Sequence, residues 1–207
     1  MIDALPPALT MMAGALALPF LRGPARSGAI LLVPLLALAQ LWALPDGPAL
    51  TVGFLDHTLT PVKADALGRL FATVFLLMAA GGGLFALNQK AVVELSAAFA
   101  YAGGAVGVAL AGDLITVFVF WELMAVASTL VLWAEGGELA ARAARRYVMV
   151  HLLGGVVLMV GIIAHVSATG SAAFGAMRPD SLGTWLILAG FLINAGAPPF
   201  SAWLPDA

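Results

Sequence analysis

Residues 114–133 read LITVFVFWELMAVASTLVLW, an apolar run whose one ionisable side chain is Glu122. A helix of about 20 mostly apolar residues is long enough to cross the hydrocarbon core of a bilayer. The stretch therefore predicts a membrane-spanning helix that carries a carboxyl group eight residues after its first residue.

The composition of the whole chain agrees with a protein solvated by lipid. Of its 207 residues, 62% are hydrophobic and 10% are charged, and the mean hydropathy is +1.05. A typical soluble domain carries about 25% charged residues. This chain has too few charged side chains to cover the surface of a soluble domain of its size. The net charge is −2 without a basic block, so nucleic acid is not an expected partner.

Motifs for cofactor or metal chemistry are missing from the sequence. There is no cysteine, which excludes disulfides and thiolate metal ligands. No nucleotide-binding loop or haem motif is present either. We therefore expect no catalytic site, cofactor or metal in this chain, and any driving energy has to come from a partner.

Seven apolar segments are candidate membrane spans, which predicts an all-α integral membrane protein of about seven helices with the last one broken. Between the second and third segments, residues 45–64 alternate short apolar runs with turn residues and predict a small hairpin or loop. Glycine clusters at 81–83, 103–104 and 154–155 predict close helix packing. The candidate spans cover residues 5–21, 28–44, 65–87, 91–111, 114–133, 143–166 and 182 to the proline pair at 198–199.

The distribution of Lys and Arg predicts the orientation. With alternating spans, six of the nine basic residues fall on one side, which is expected to be cytoplasmic. The N-terminus and the connection at 45–64 would then face outward from a cell inner membrane. The six basic residues are Arg22, Arg26, Lys90, Arg142, Arg145 and Arg146.

Ionisable side chains inside spans are the candidate functional residues. A charge near the bilayer centre costs at least about 2.5 kcal/mol, so such residues usually face a bundle interior or a water-filled path. Glu122 is the strongest candidate because no charged residue lies within one helical turn of it. His151 lies at a similar depth in its own span, and imidazole exchanges protons near neutral pH. The alternative for both is a structural role in joining helices.

Other polar residues have simpler structural explanations. Glu94 lies four residues after Lys90, which allows a helical ion pair. Asp113 and Asp65 precede spans and are expected to cap them, although Asp113 and Glu94 also remain secondary proton-path candidates. His165 lies at the outer end of its span, where a surface role is expected.

The seventh apolar run is interrupted by Pro198 and Pro199, which remove backbone donors. A discontinuous helix in a transporter commonly lines an ion path. A helix that simply ends at the prolines, with Trp203 as an interfacial anchor, explains the sequence equally well.

Three stretches together resemble one family. Residues 112–125 contain Phe-Trp-Glu-Leu-Met, residues 145–155 contain Arg-Arg-Tyr-Val-Met-Val-His, and residues 190–207 end in Trp-Leu-Pro-Asp-Ala. These strings are similar to the antiporter-like subunits shared by respiratory complex I, membrane-bound hydrogenases and multisubunit (Mrp-type) cation/proton antiporters, above all to the D subunit of the last group.

The resemblance implies a bundle of about fourteen helices with two inverted repeats, each with a broken helix and half of a proton path. This chain would hold only part of that bundle. Residues 1–90 would form three peripheral helices with the outward loop, and residues 91–207 an incomplete first repeat. We therefore expect a fragment or a split gene product, a partial inverted-repeat transporter bundle.

Two positions depart from the family pattern. The resemblance implies that the glutamate at Glu122 pairs with a lysine of the broken helix, but that position is Asn194 here. The histidine that usually follows Pro-Phe is Ser201 here, which we count as a third secondary candidate for the proton path. Because asparagine cannot ionise, we hypothesise that His151 serves as the proton partner of Glu122 instead.

The sequence predicts an inner-membrane subunit that moves protons, with or without exchange for Na+, alongside other membrane subunits. Glu122 is the expected proton carrier. The alternative is a non-conducting scaffold in a redox or antiporter complex, which the loss of the lysine favours. A membrane-arm subunit of an NADH:quinone oxidoreductase-like or hydrogenase complex would differ only in its neighbours.

Overall fold

Helices in the computed structural model follow the predicted apolar segments in number and order. The structure describes residues 5–201 and 203. The elements are α1 (Pro7–Ala17), α2 (Pro24–Ala43), β1 (Gly47–Phe54), β2 (His57–Ala64), α3 (Ala66–Phe85), α4 (Val92–Leu110), α5 (Leu114–Ala134), α6 (Gly137–Thr169) and α7 (Leu182–Asn194). Short 3-10 turns extend α1 through Leu18–Phe20 and α3 through Ala86–Asn88.

Five helices in the described part of the chain, α2 to α6, are long and apolar enough to cross a membrane. The helical segment Pro7–Phe20 and α7 are apolar but shorter. The predicted helical membrane fold is confirmed, although the first and last helices fall short of a full span. The predicted break also follows α7, because the helix ends at Asn194 and the chain continues in turns before Pro198 and Pro199.

The polar connection after α2 is a hairpin, as predicted, and is the one departure from an all-helical fold among the described residues. β1 and β2 pair antiparallel from Gly47↔Ala64 to Phe54↔His57. At the hairpin's base, Arg69 of α3 donates to the carbonyl oxygens of Leu41 and Leu44, both at 2.7 Å. This guanidinium adds to the capping of the end of α2, where Leu41 O also accepts from Leu44 N at 3.4 Å.

α6 is longer than the sequence predicted, beginning at Gly137 instead of residue 143. Its first turns contain four alanines and an ion pair in which Arg142 donates to Glu138 at 2.6 Å, one turn apart. Alanine is the strongest helix former, and such pairs support an exposed helix end. The charged segment thus continues the spanning helix beyond the apolar run.

The turn between α4 and α5 joins three parts of one end of the bundle. Gly112 N donates to Thr60 O of β2 at 2.9 Å, and Phe174 N, after α6, donates to Gly112 O at 3.0 Å. The Asp113 carboxylate accepts from Thr116 N (2.7 Å), Thr116 Oγ1 (2.7 Å) and Thr60 N (2.8 Å). The predicted cap is confirmed, and the same side chain also holds the hairpin.

The predicted cap at Asp65 is confirmed as well, since its side chain accepts from Gly68 N at 2.7 Å. α4 packs against α1, α3 and α5, while α6 packs against α5 and α7. The boundary between residues 90 and 91 remains a prediction, because α4 contributes to the same apolar core as α1 to α3.

Glycines make the closest helix contacts. A Cβ on Gly161 of α6 would lie 2.6 Å from Ile187 N, and one on Gly190 of α7 would lie 2.7 Å from Leu158 Cβ. The predicted role in packing is confirmed for Gly83, Gly103, Gly104, Gly154 and Gly155, whereas Gly81 and Gly82 meet no atom within 4 Å. Small residues let helix backbones approach where lipid removes any hydrophobic drive to associate.

We expect Asp113→Ala to lower the free energy of unfolding by about 2–3 kcal/mol, since it removes a helix cap and leaves buried donors unpaired. Thermal unfolding of the purified protein in detergent measures the change. Asp65→Ala is the matched control because Asp65 is an exposed cap with one hydrogen bond, and its expected loss is about 1 kcal/mol. Equal losses in the two variants would show that the link to the hairpin contributes nothing.

We also expect Gly161→Ala to lower the thermal midpoint, because the added methyl group would meet the backbone of α7. Gly81→Ala is the control, since open space surrounds Gly81 and alanine favours a helix by up to about 1 kcal/mol. The same detergent unfolding experiment compares them. A Gly161→Ala protein as stable as Gly81→Ala would contradict the close approach of α6 and α7.

Candidate functional site

Glu122 lies in the first half of α5, with its carboxyl group facing α6. The carboxyl lies directly over Gly155, in space that any larger residue at 155 would fill. Its Oε1 atom is buried and has no hydrogen-bond partner among the described residues. Thr73 Oγ1, Ser96 Oγ and Trp203 Nε1 are likewise buried without a partner among the described residues, and Glu122 is the one carboxyl group in this set.

Asn194 is the last residue of α7 and is 5% exposed. Its amide tip lies over Gly154, next to the glycine that faces Glu122. The amide is satisfied when its nitrogen donates to His151 O at 3.2 Å and its oxygen accepts from Trp121 Nε1 at 3.3 Å. Asn194 therefore connects α5, α6 and α7 at the level of the candidate site.

His151 is 5% exposed on α6. Its Nδ1 lies 3.1 Å from Tyr147 O, and because a carbonyl oxygen can only accept, Nδ1 is the donor. In the neutral ring this leaves Nε2 as the acceptor. The imidazole stacks on the Tyr147 ring with centroids 3.9 Å apart, and the Trp203 ring meets its edge at 4.8 Å.

One turn of α6 therefore brings the three predicted proton-path residues together. His151 and Gly155 are four residues apart and share a helix face, with Asn194 over the neighbouring Gly154. Among the described residues, no hydrogen bond joins Glu122 to either His151 or Asn194. The structure thus places the hypothesised partners in one neighbourhood without direct contact between them.

The secondary candidates lie elsewhere. Glu94 accepts from Gln89 Nε2 at 3.1 Å, and within the described part of the chain the ion pair with Lys90 is not formed. The reason is that Lys90 precedes the first residue of α4, so helical i,i+4 spacing does not apply. Asp113 is a buried cap at the hairpin end of α5, before the level of Glu122.

The segment after α7 contacts the candidate site through an aromatic ring and not through a polar group. Pro198 and Pro199 are exposed, and Ser201 is half-buried in a short 3-10 turn. Trp203 packs edge-on against Tyr147 with centroids 5.1 Å apart, as well as against His151. The proline pair therefore marks the turn that brings the Trp203 ring back onto α6.

Two polar residues of this region were not singled out from the sequence. Ser128 Oγ donates to the Tyr147 hydroxyl oxygen at 2.7 Å across the α5–α6 interface. Trp121 supplies the indole donor to Asn194. Neither contact had a signal in the sequence, because each joins residues of two different helices.

The chemistry open to this arrangement is proton exchange. A carboxyl group and an imidazole both bind and release protons, whereas an amide can only orient its neighbours by hydrogen bonds. In the described part of the chain, no three His, Asp or Glu side chains cluster as a metal ligand set requires.

Comparisons with known proteins show which family this chain resembles. A family model described as "NADH:quinone oxidoreductase/Mrp antiporter, TM" matches residues 111–207. The D subunit of a probable K(+)/H(+) antiporter from Rhizobium meliloti is 31% identical over 140 residues, covering 62% of this chain and 24% of the relative. The M subunit of NADH-quinone oxidoreductase from Escherichia coli is 33% identical over 123 residues, covering 51% and 24%. The chain thus spans about a quarter of the length of these relatives.

The fold is also found in a solved membrane complex. A chain of the Mrp complex from Dietzia sp. superposes with a TM-score of 0.79 at 20% identity, covering 97% of this chain and 24% of that one. A structural likeness at 20% identity shows the fold alone. The family is indicated by the match of the family model to residues 111–207. Residues 111–207 of this multi-pass membrane protein match the NADH:quinone oxidoreductase/Mrp antiporter transmembrane family, and this match confirms the resemblance predicted from the sequence.

Proposed function

We propose that this chain is part of a proton-translocating subunit of a multisubunit cation/proton antiporter or complex I-like assembly, with Glu122 as its intramembrane proton carrier. Protons move alone or in exchange for a cation such as Na+. Other membrane subunits of the same assembly are its partners, and the cell inner membrane is its location, with the N-terminus outside. The names of the relatives, an antiporter subunit and a quinone oxidoreductase subunit, support this class.

The unpartnered Oε1 atom of Glu122 is the observation that carries the proposal. A carboxyl group without a fixed hydrogen-bond partner can bind a proton and release it without breaking an existing contact. A carboxyl group used only to join helices would instead be expected to find a donor, because an unsatisfied buried group costs about 1–3 kcal/mol. Glu122 faces the glycine surface of α6 and not the lipid, as a transport role requires.

His151 and Asn194 have different roles in this proposal. His151 keeps Nε2 as an acceptor because Nδ1 is held by the Tyr147 carbonyl. It can therefore take up a proton and pass it to Glu122, one turn away. Asn194 holds α5, α6 and α7 in register through Trp121 and His151, and it fixes the geometry without changing charge.

A scaffold is the second candidate function, and one observation favours it. Asn194 occupies the position at which the resemblance implies a lysine, and its amide joins three helices as a purely structural residue would. A chain that has lost the charged partner of Glu122 could keep its fold and its neighbours while conducting no protons. The two functions differ in whether the Glu122 proton is required for flux.

We expect Glu122→Gln to reduce proton flux by at least about tenfold, since a positioned proton-transfer group contributes about 10²–10⁴-fold. Glutamine keeps the shape of the side chain but cannot carry the proton. The measurement is ΔpH-driven proton uptake into proteoliposomes that hold the whole assembly purified with this chain. Glu138→Gln is the matched control, because Glu138 is exposed and pairs only with Arg142 in the described residues.

Unchanged flux in Glu122→Gln, with all subunits still co-purifying, would support the scaffold and refute the transport role. Loss of flux in both Glu variants would show a general defect in assembly instead of a defect in proton transfer. Size-exclusion chromatography of each assembly before reconstitution separates these outcomes.

For His151→Phe we expect proton flux to fall by about tenfold, by the same reasoning on positioned proton-transfer groups. Phenylalanine preserves the ring packing against Tyr147 and Trp203 but has no nitrogen to protonate. His165→Phe is the control, since His165 lies half-buried near the far end of α6. Equal flux in the two variants would remove His151 from the path while leaving Glu122 in place.

A further inference from the structure

A cavity with both charged and apolar lining residues opens where α5 ends and α6 begins. It has a volume of about 580 Å³, and its charged lining comes from Glu94, Glu135, Arg142 and Arg146. Leu132 of α5 and Ala143 of α6 line its inner part. We call it the α5–α6 cavity. It lies at the end of the bundle that carries Arg142, Arg145 and Arg146, which we call the arginine-bearing side and which the distribution of basic residues predicts to be cytoplasmic.

Two hydroxyl groups lie one helical turn deeper in the α5–α6 interface than residues that line this cavity. Ser128 is four residues before Leu132 on α5, and Tyr147 is four residues after Ala143 on α6, so each is one helical turn further into the bundle. Ser128 Oγ and the Tyr147 hydroxyl oxygen are 2.7 Å apart. Tyr147 is 8% exposed, so its hydroxyl pairs with Ser128 inside the interface and not with bulk solvent.

The hydrogen bonds of this pair can run in either direction. Ser128 Oγ lies 2.7 Å from the Met124 carbonyl oxygen as well as from the Tyr147 hydroxyl. A serine hydroxyl has one proton. When that proton points to Met124 O, the Tyr147 hydroxyl has to donate to Ser128, and when it points to Tyr147 the direction reverses. A hydroxyl pair with two orientations can pass a proton without either group remaining charged.

A row of residues on one face of α6 leads from the cavity, past Tyr147, to the candidate site. Ala143, Tyr147, His151 and Gly155 are spaced four residues apart on α6, and each step advances about 6 Å along the helix. The first residue lines the cavity and the last lies against the Glu122 carboxyl. The Trp203 ring packs at a steep angle against both Tyr147 and His151, with ring centroids 5.1 Å and 4.8 Å away.

We propose that the α5–α6 cavity is the mouth through which protons reach Glu122, and that the Ser128–Tyr147 hydroxyl pair passes them to His151. The proposal rests on the proposed transport function and adds its route and side. One proton enters at the hydroxyl pair and one leaves it toward His151, so the two hydroxyls return to neutrality by reorienting. His151 then releases its extra proton to the Glu122 carboxylate through one intervening water molecule, because no hydrogen bond joins the two side chains directly. The imidazolium N–H bond breaks and a carboxyl O–H bond forms.

The test removes the hydroxyl groups of the proposed route and, as a control, one hydroxyl group that lies outside it. Each variant is measured in proteoliposomes that contain the whole assembly. Tyr147→Phe removes one oxygen and keeps the aromatic ring, and Ser128→Ala removes its partner. Thr129→Val is the matched control because Thr129 is the next residue of α5 and its hydroxyl donates only to Ala125 O, at 2.7 Å, among the described residues. Proton uptake from each side of the membrane is measured separately, with Glu122→Gln in parallel.

We expect Tyr147→Phe and Ser128→Ala to slow proton uptake from the arginine-bearing side by about tenfold, and Thr129→Val by less than about twofold. Full uptake in both hydroxyl variants, with Glu122→Gln inactive, would overturn the route and leave the transport function standing. Full uptake in Glu122→Gln would overturn both. If Tyr147→Phe fails to assemble, Ser128→Ala alone decides, since it removes a single oxygen atom at the interface.

Discussion

The close approach of α5 and α7 to the glycine-bearing face of α6 is the constraint on which the rest of this structure depends. Gly154, Gly155 and Gly161 leave no side chain on that face, and the backbone of α7 or the polar tips of Asn194 and Glu122 occupy the space. In lipid, helices gain nothing from burying apolar surface against each other, so direct packing and polar contacts decide which faces meet. Larger residues at these positions would separate the three helices.

The same packing divides α5 into two faces of different character. Val119, Leu123, Val126 and Leu130 are exposed at helical spacing and form a surface suited to acyl chains. Glu122 lies at the edge of this surface, one turn before Val126, with its carboxyl group turned toward α6, and Ser128 faces α6 from the far side of the helix. Polar groups inside a membrane protein have to face a partner helix or a water-filled path, because lipid offers no hydrogen bonds. α5 therefore contacts lipid through its apolar surface and α6 through its polar groups.

The hairpin end of the bundle is organised by one buried carboxylate. Asp113 caps α5 and at the same time holds Thr60 of the hairpin, so a surface element is fixed to the helix that carries Glu122. Sequence alone suggested the cap but not the second contact, because the partner lies 53 residues away along the chain. At the opposite end, the charged first turns of α6 form the wall of the α5–α6 cavity.

Apolar length and charge placement were enough to predict the helices, their order and the two aspartate caps, because these depend on local sequence. Two predictions based on local sequence were wrong. α6 begins earlier than expected, since alanines and the Glu138–Arg142 pair extend the helix. In the described part of the chain Lys90 and Glu94 do not pair, because Lys90 precedes α4. The Tyr147–Ser128 contact had no local signal, since its two residues lie on different helices.

By itself, the sequence determined that this chain is a helical membrane protein with an isolated acid in its fifth span, because hydropathy and charge are properties of single residues and short windows. Only the tertiary structure decided what surrounds that acid. Three helices had to meet at Gly154 and Gly155 before Glu122, His151 and Asn194 became neighbours. The physical reason is that partners of a buried polar group come from other helices, and a helix's own sequence does not specify which neighbour its glycine face will meet.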